Sequence, residues 1–190
     1  MRLVLASGSP RRRELLALIT EEFTVCAVNA DETLRPGAPL ADEVVRLSLL
    51  KAQAAQRIYP DAVCIGSDTM VTIDGLPLGK PADEAQAAEM LRRLRGRTHE
   101  VLTGLAVLPS GGAARTLCTR TRVTFRDFGE DELAAYLATG EPLDKAGAYG
   151  IQSHGALLVE GIAGDYYSVM GLPVAGLHVI LRQLAQELRG

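Results

Sequence analysis

The segment Ser7-Gly8-Ser9-Pro10-Arg11-Arg12-Arg13 gathers two hydroxyls and three guanidiniums around a small-residue turn. The residues before it, Leu3 to Ala6, read as a short buried strand. Those after it, Arg11 to about Leu18, read as a helix with Ser9 as N-cap and Pro10 at the first helical position. Cations in the first turn of a helix oppose its macrodipole, at a cost of about 0.3–1 kcal/mol each when exposed. An anion at that helix end resolves the conflict, held by backbone N–H groups, Ser7, Ser9 and one or two arginines. The alternative is a solvated basic turn with Glu14 as local counter-ion. Three arginines cannot all face one point, so Arg13 is assigned to that plainer role.

A carboxylate, Asp68, follows the apolar run Ala62 to Ile65 at a Gly66-Ser67 break. Strand ends are where open α/β sheets place functional groups, and Asp68 there could take a proton from water or bind a divalent ion. An Asx-turn aspartate is the alternative. The chain has 17 arginines but only three lysines, Lys51, Lys80 and Lys145. Where either cation would serve, this sequence uses Arg, so each Lys is a candidate for a place that needs a compact ammonium. Lys80 precedes a proline and is held extended at a helix entrance, twelve positions after Asp68 across a hairpin. Lys145 lies in Asp144-Lys145-Ala146-Gly147-Ala148-Tyr149-Gly150-Ile151-Gln152, a Gly-rich loop suited to lie against a ligand. Gln152 there offers both a donor and an acceptor, as reading a base edge requires. Each of these also reads as an ordinary surface lysine or a plain turn.

The elements that must position these groups follow from apolar periodicity and turn chemistry. Phe23 to Val28 reads as a second strand and residues 29–41 as a loop. Asp42 is expected to cap a helix running to about Arg57. Val71 to Ile73 runs as strand into an Asp74-Gly75 hairpin turn. A helix opens at Pro81-Ala82-Asp83 and stops at Gly96. His99 to Leu108 and Ala114 to Phe125 are long strands, the second alternating Thr and Arg as a strand with one wet face does. A helix over Glu130 to Thr139, strands near 156–160 and 165–169, and a helix from Pro173 complete the chain. Hairpins mixed with helices predict an α/β protein on a mixed, twisted sheet flanked by helices. One domain over 1–190 is expected, with a second lobe over about 98–145.

Composition excludes several classes. With 20 Lys+Arg against 23 Asp+Glu and 4% aromatics among 190 residues, a nucleic-acid coat is disfavoured. No apolar run approaches about 18 residues, and no signal-peptide pattern opens the chain, so no membrane association is expected. Cys26, Cys64 and Cys118 are odd in number and widely spaced, which fits a reduced, cytoplasmic protein. His99, His154 and His178 lack metal-ligand spacing, and neither a P-loop nor a Gly-x-Gly-x-x-Gly occurs.

Taken together, Leu5-Ala6-Ser7-Gly8-Ser9-Pro10-Arg11-Arg12, Gly66-Ser67-Asp68-Thr69, Gly79-Lys80-Pro81 and Asp144 to Gln152 resemble the Maf (septum formation inhibitor-like) family of nucleoside triphosphate pyrophosphatases. Asp31-Glu32, Lys51, His99 to Gly104 and Gly171-Leu172-Pro173 extend the resemblance, in order, over nearly the whole chain. It implies an ITPase-like fold with two lobes around a central cleft. It also implies hydrolysis of a nucleoside triphosphate to the monophosphate and pyrophosphate. In that reading Asp68 is the proton acceptor for water attacking the α-phosphorus. Ser7, Ser9, Arg12, Lys51, Lys80 and Lys145 bind the phosphates, and a divalent cation (Mg²⁺ or Mn²⁺) uses Glu32 and Asp68. Arg11, Thr69 and Gln152 are similar to the branch that takes dTTP and UTP, so these three would select the base. Nucleoside triphosphates are then the partners, and a homodimer is compatible. The rival readings are a nucleotide-binding regulator of septation with little turnover and a purine, ITP-type pyrophosphatase.

Overall fold

The computed structural model describes residues 1–187 of the chain, so the last three residues of the expected 1–190 domain lie outside it. A seven-stranded sheet has the order β2-β1-β3-β5-β6-β7, with β4 paired to β3. Its strands are β1 (Leu3–Leu5), β2 (Thr24–Val25), β3 (Val63–Ile73), β4 (Leu76–Leu78), β5 (Thr98–Leu108), β6 (Arg115–Phe125) and β7 (Val159–Ala163). β1 runs parallel to β2 and to β3, whereas β3–β4 and β6–β7 are antiparallel, so the sheet is mixed as expected. The helices are α1 (Pro10–Ala17), α2 (Leu40–Ile58), α3 (Glu84–Leu94), α4 (Glu130–Leu137), α5 (Tyr166–Met170) and α6 (Val174–Glu187). No helix among the described residues is long and apolar enough to cross a membrane.

The chain divides into two units. The first comprises Met1–Asp68, Thr103–Thr119 and Gly171 onward; the second comprises Thr69–Leu102 and Arg120–Met170. Of the stretch 98–145, residues 103–119 therefore belong to the first unit. One core cluster of the first unit is built mainly of small side chains, Val4, Ala6, Ala52, Ala55, Cys64 and Ala106 among them, and the unit also buries Leu5, Leu15, Leu16 and Leu47. The core of the second includes Leu91, Leu94, Phe125, Phe128, Leu133, Tyr136 and Tyr149. Small residues let backbones approach closely, and in the first unit they bring a helix onto the sheet. A Cβ on Gly66 of β3 would lie 2.0 Å from the Ser48 carbonyl oxygen of α2, and one on Gly104 of β5 would lie 2.3 Å from that of Val44. Only glycine admits this contact.

Local chemistry explains most boundaries. Ser9 caps α1 and Pro10 opens it, as the sequence predicts. Asp83 caps α3 by accepting from the Gln86 N–H, and Gly96 at φ 65° follows its end. Asp74 and Gly75 both take positive φ, 55° and 74°, as the tight hairpin between β3 and β4 requires.

Four expectations are corrected. Asp42 does not cap α2; Pro39 occupies the cap and Asp42 lies in the first turn. Gly66-Ser67 is not a break, because β3 continues unbroken through Asp68 to Ile73. Residues 154–158 form a 3₁₀ turn, with strand only from Val159. The strand expected near 165–169 is α5, because Asp165 acts as a helix cap: its carboxylate accepts from the Tyr167 N–H (3.1 Å) and from the Ser168 hydroxyl.

Candidate active site

In the first unit the geometry begins with the close approach just described. Gly66 and Asp68 are two positions apart on β3, so they share a face of the strand. Ser48 and Lys51 are three positions apart on α2, so they share a face of the helix. Seating Ser48 on Gly66 therefore carries Lys51 onto Asp68. Lys51 Nζ stands 2.5 Å from Asp68 Oδ1 and 2.9 Å from Glu32 Oε1. Both Lys51 and Asp68 are buried, whereas the Glu32 side chain is largely exposed. One ammonium thus bridges two carboxylates that come from a strand and from the loop before α2.

The start of α1 faces the same group of charges. The Ser9 N–H donates to Ser7 Oγ (3.2 Å), and Ser9 Oγ accepts from the Arg12 N–H (3.5 Å). Arg12 donates through Nε to the Gly171 carbonyl (2.9 Å) and through Nη1 to Ser7 Oγ (3.4 Å). Burial lowers the Arg12 pKa, while the negative charges of Asp68 and Glu32 oppose that shift. Those charges place Arg12 in the field of the Lys51 pair. Arg11 is half-buried and adds to the positive field on Arg12, whereas Arg13 is exposed. Ser67 Oγ lies 2.8 Å from the Gly104 carbonyl and 2.9 Å from that of Gly171. The Gly171 carbonyl is therefore shared by Ser67 and Arg12, which fixes the guanidinium against the middle of β3.

The first unit thus brings together Ser7, Ser9, Arg12, Glu32, Lys51 and Asp68, with Arg11 at their edge. The remaining sequence-predicted residues, Thr69, Lys80, Lys145 and Gln152, belong to the second unit. There the Gly147 N–H donates to the Gly79 carbonyl (3.0 Å), which joins the backbone beside Lys80 to the loop that carries Lys145. Lys80 is exposed. Lys145 is mostly buried and donates to the Glu141 carbonyl (2.8 Å) and to Asp144 Oδ1 (2.7 Å) of its own loop. Gln152 is exposed, and Thr69 is half-buried.

Two buried carboxylates were not marked by the sequence. Glu43 accepts from Arg35 N (2.9 Å) and Nε (2.6 Å) and from Arg46 Nε (3.0 Å) and Nη2 (2.7 Å). Arg46 also donates to the Thr33 carbonyl (2.8 Å), so Glu43 anchors the loop that carries Glu32. The Arg46 hydrogen bond does most to hold the Glu43 carboxyl down to about 2, against the opposing effect of burial. In sequence Glu43 looks like a helix-dipole residue in the first turn of α2, and only its place on the buried face gives it away. The second is Glu141, which accepts from the Tyr136 hydroxyl (3.2 Å) and the His154 N–H (3.2 Å). His99 is buried in the second unit, with Nε2 2.8 Å from the Tyr149 hydroxyl and its ring edge-on to Phe125 and Tyr149. Burial pushes its pKa down to about 4, as suits a structural, neutral imidazole.

On a mixed α/β sheet, a basic helix start beside a lysine-bridged pair of carboxylates is an arrangement suited to an anionic ligand. A family model described as Maf-like protein matches residues 2–184, and the chain belongs to the Maf family. It is 49% identical over 183 residues to a Bacillus cytotoxicus protein named dTTP/UTP pyrophosphatase, covering 96% of this chain and 94% of that one. It is 51% identical over 181 residues to a Moorella thermoacetica protein of the same name, covering 95% and 93%. Among solved structures, the Staphylococcus aureus Ham1 protein superposes with a TM-score of 0.58 at 14% identity, covering 96% of this chain and 99% of that one. A HAM1 protein from Coxiella burnetii gives 0.54 at 15% identity, with the same coverage. At that identity the likeness concerns the fold.

Proposed function

We propose that this protein is a nucleoside triphosphate pyrophosphatase that hydrolyses dTTP and UTP to the monophosphate and pyrophosphate. The observation that carries the reading is near-full-length identity of about half to relatives named dTTP/UTP pyrophosphatase. The arrangement in the first unit supports it chemically. Asp68 accepts the proton of a water that attacks the α-phosphorus, and Lys51 holds that carboxylate through Oδ1. As the α–β bridging P–O bond breaks, negative charge accumulates on the departing pyrophosphate. Arg12, Lys51, Ser7, Ser9 and the N-terminus of α1 are cations and donors suited to stabilise it. Lys80 and Lys145 are assigned to the same phosphates, and Arg11, Thr69 and Gln152 to the base. A uracil or thymine edge presents acceptor, donor, acceptor, which a Gln amide can match with its own donor and acceptor.

A divalent cation, Mg²⁺ or Mn²⁺, belongs to this reading. The described residues contain no cluster of three or more Asp, Glu, His or Cys side chains that could cage a metal. Two carboxylates, Glu32 and Asp68, flank Lys51, and one or two carboxylates with substrate phosphates and water is the usual Mg²⁺ environment. These residues fit such an ion, which when bound would neutralise charge on the phosphate oxygens. We assign the enzyme to the cytoplasm, where reduced thiols persist, acting on free nucleotides.

The test is pyrophosphate release from dTTP, UTP, CTP, GTP and ITP by the wild type and by Asp68→Asn. Release confined mainly to dTTP and UTP is expected, and Asp68→Asn should cost a factor of about 10²–10⁴ in rate. Activity of Asp68→Asn within a few-fold of wild type would remove Asp68 from the mechanism. Release chiefly from ITP would overturn the base assignment. Nucleotide binding without turnover would point to a regulator.

A further inference from the structure

Gln152 sits at the middle of a short arc, residues 150–154, which is irregular through Ser153 and runs from the 3₁₀ turn at 146–148 into the one that begins at His154. Nothing in regular secondary structure fixes such an arc, so its direction depends on where its polar groups are tied. Both ends lead to one largely buried side chain, Glu141, the near end through the Tyr136 hydroxyl and the far end directly. At the near end, the Gly150 N–H donates to Tyr136 Oη (3.1 Å), and the Tyr136 hydroxyl in turn donates to Glu141 Oε1 (3.2 Å). At the far end, the His154 N–H donates to Glu141 Oε2 (3.2 Å), the Ser153 hydroxyl donates to the same carboxylate, and His154 Nδ1 lies 3.4 Å from Oε2. The Glu141 side chain retains only 11% of its exposure.

The backbone is built to this pair. A Cβ on Gly150 would stand 2.7 Å from Glu141 Oε1 and 2.7 Å from Lys145 Cε. One on Gly155 would stand 2.5 Å from the Gly150 carbonyl oxygen and 2.9 Å from Tyr136 Oη. Burial pushes the Glu141 carboxyl up, but Ser153, the Lys145 charge, Tyr136 and the His154 N–H together outweigh it and hold the carboxyl below its ordinary value. The group therefore stays an acceptor on both oxygens, as holding two ends of one arc requires.

We propose that Glu141, through Tyr136, is the positioning residue for base selection: its two carboxylate oxygens clamp the arc 150–154 and so fix the direction of the Gln152 amide. This rests on the reading of Gln152 as a base-selecting residue. Without the clamp the arc is free to shift, and a hydrogen bond whose donor or acceptor has lost its direction no longer discriminates between bases. Of the residues assigned to the phosphates, Asp68, Lys51 and Arg12 belong to the other unit and make none of these bonds, and Lys145 donates to the backbone carbonyl of Glu141, a group that the side-chain variants keep.

The experiment compares kcat/KM for UTP and CTP, two substrates that differ at the base edge. It uses the wild type, Gln152→Ala, Glu141→Ala, Glu141→Gln, Tyr136→Phe and the double variant Glu141→Ala with Gln152→Ala. Competitive inhibition by inorganic pyrophosphate serves as the base-free readout. Gln152→Ala is expected to reduce the UTP/CTP ratio by about tenfold or more, and Glu141→Ala by a similar factor, mainly through KM for UTP. The double variant should lose no more discrimination than Gln152→Ala alone. Glu141→Gln, which keeps one acceptor, should restore part of the ratio. Pyrophosphate inhibition should stay within about twofold of wild type throughout.

Equal loss for UTP and CTP in Glu141→Ala, or losses that multiply in the double variant, would overturn the clamp while leaving Gln152 in its role. An unchanged ratio in Gln152→Ala would instead overturn the underlying reading of Gln152. Should Glu141→Ala not fold, Tyr136→Phe decides the matter. It keeps the aromatic packing and removes the bond at each side of the phenol, so an unchanged ratio there would reject the proposal.

Discussion

Each unit ties down an irregular segment with a buried glutamate, and the two do so with different chemistry. In the first unit Glu43 is held by two arginines and fixes the loop bearing Glu32. In the second, Glu141 is held by a phenol, a backbone N–H and a serine hydroxyl, with one lysine charge nearby, and fixes the arc bearing Gln152. Charged donors hold a carboxylate strongly and keep it ionised to low pH. They also leave stranded charges if the carboxylate is removed. Neutral donors hold more weakly but give direction, because each lone pair meets a specific group. The first arrangement suits a residue assigned to a metal and phosphates, where charge dominates. The second suits a residue assigned to a base edge, where orientation dominates.

The sharpest way to break the first unit is through its packing. In Gly66→Ala the new methyl meets the Ser48 carbonyl at 2.0 Å and the Ala52 N at 2.8 Å, both backbone atoms of α2. The helix must move, and Lys51 moves with it away from Asp68. We expect a loss of about 3 kcal/mol in urea denaturation and about a hundredfold in kcat. A variant that keeps wild-type kcat would show that the Lys51–Asp68 pair does not depend on this contact.

Removing the charged anchor comes next. Glu43→Ala leaves Arg35 and Arg46 facing one another without their acceptor and should lower the melting temperature by about 10 °C. The ionised carboxylate's contribution is complete above its ordinary value of 4.5 and is lost as pH falls toward about 2. The decrement between wild type and variant should therefore be the same at pH 7 and pH 5. A decrement that shrinks at pH 5 would mean that Glu43 is not held ionised by its arginines.

The second unit should behave in the opposite way over that range. His99 is neutral and buried, with its pKa lowered from 6.5 to about 4 by desolvation. The unfolded chain binds the proton first, so the stability tied to neutral His99 is full above pH 6.5 and is lost as pH falls toward about 4. At pH 5 the loss is about 2 kcal/mol. Urea titrations at pH 7 and pH 5 should show this extra acid sensitivity in the wild type and not in His99→Phe. Equal sensitivity in both would place the acid-labile group elsewhere.

Much of the candidate site was legible in the sequence because its residues stand at places that local rules identify. Ser9 and Pro10 announce a helix start, and three arginines there ask for an anion. The scarcity of lysine in a chain rich in arginine singles out Lys51, Lys80 and Lys145. The resemblance to a family then joined these segments in order. The elements misread were those in which a polar residue has two local meanings. Gly66-Ser67 reads as a break, yet β3 runs through it, because the glycine serves a neighbouring helix and not a turn. Tyr166 to Met170 has the apolar content of a strand, yet the Asp165 carboxylate caps it as a helix.

The sequence by itself determined the class of fold, most element boundaries and the basic, hydroxyl-rich chemistry of the α1 helix start, since these depend on neighbours within a few residues. Only the tertiary structure decided that Lys51 meets Asp68, that Arg12 and Ser67 share the Gly171 carbonyl, and that Glu43 and Glu141 are anchors rather than surface carboxylates. Those facts depend on which face of a helix is seated against which strand, and on which loop folds back over which buried group. Residue type and local spacing do not encode them, because a glutamate in a first turn or beside a proline has the same local chemistry whether it meets water or a buried donor.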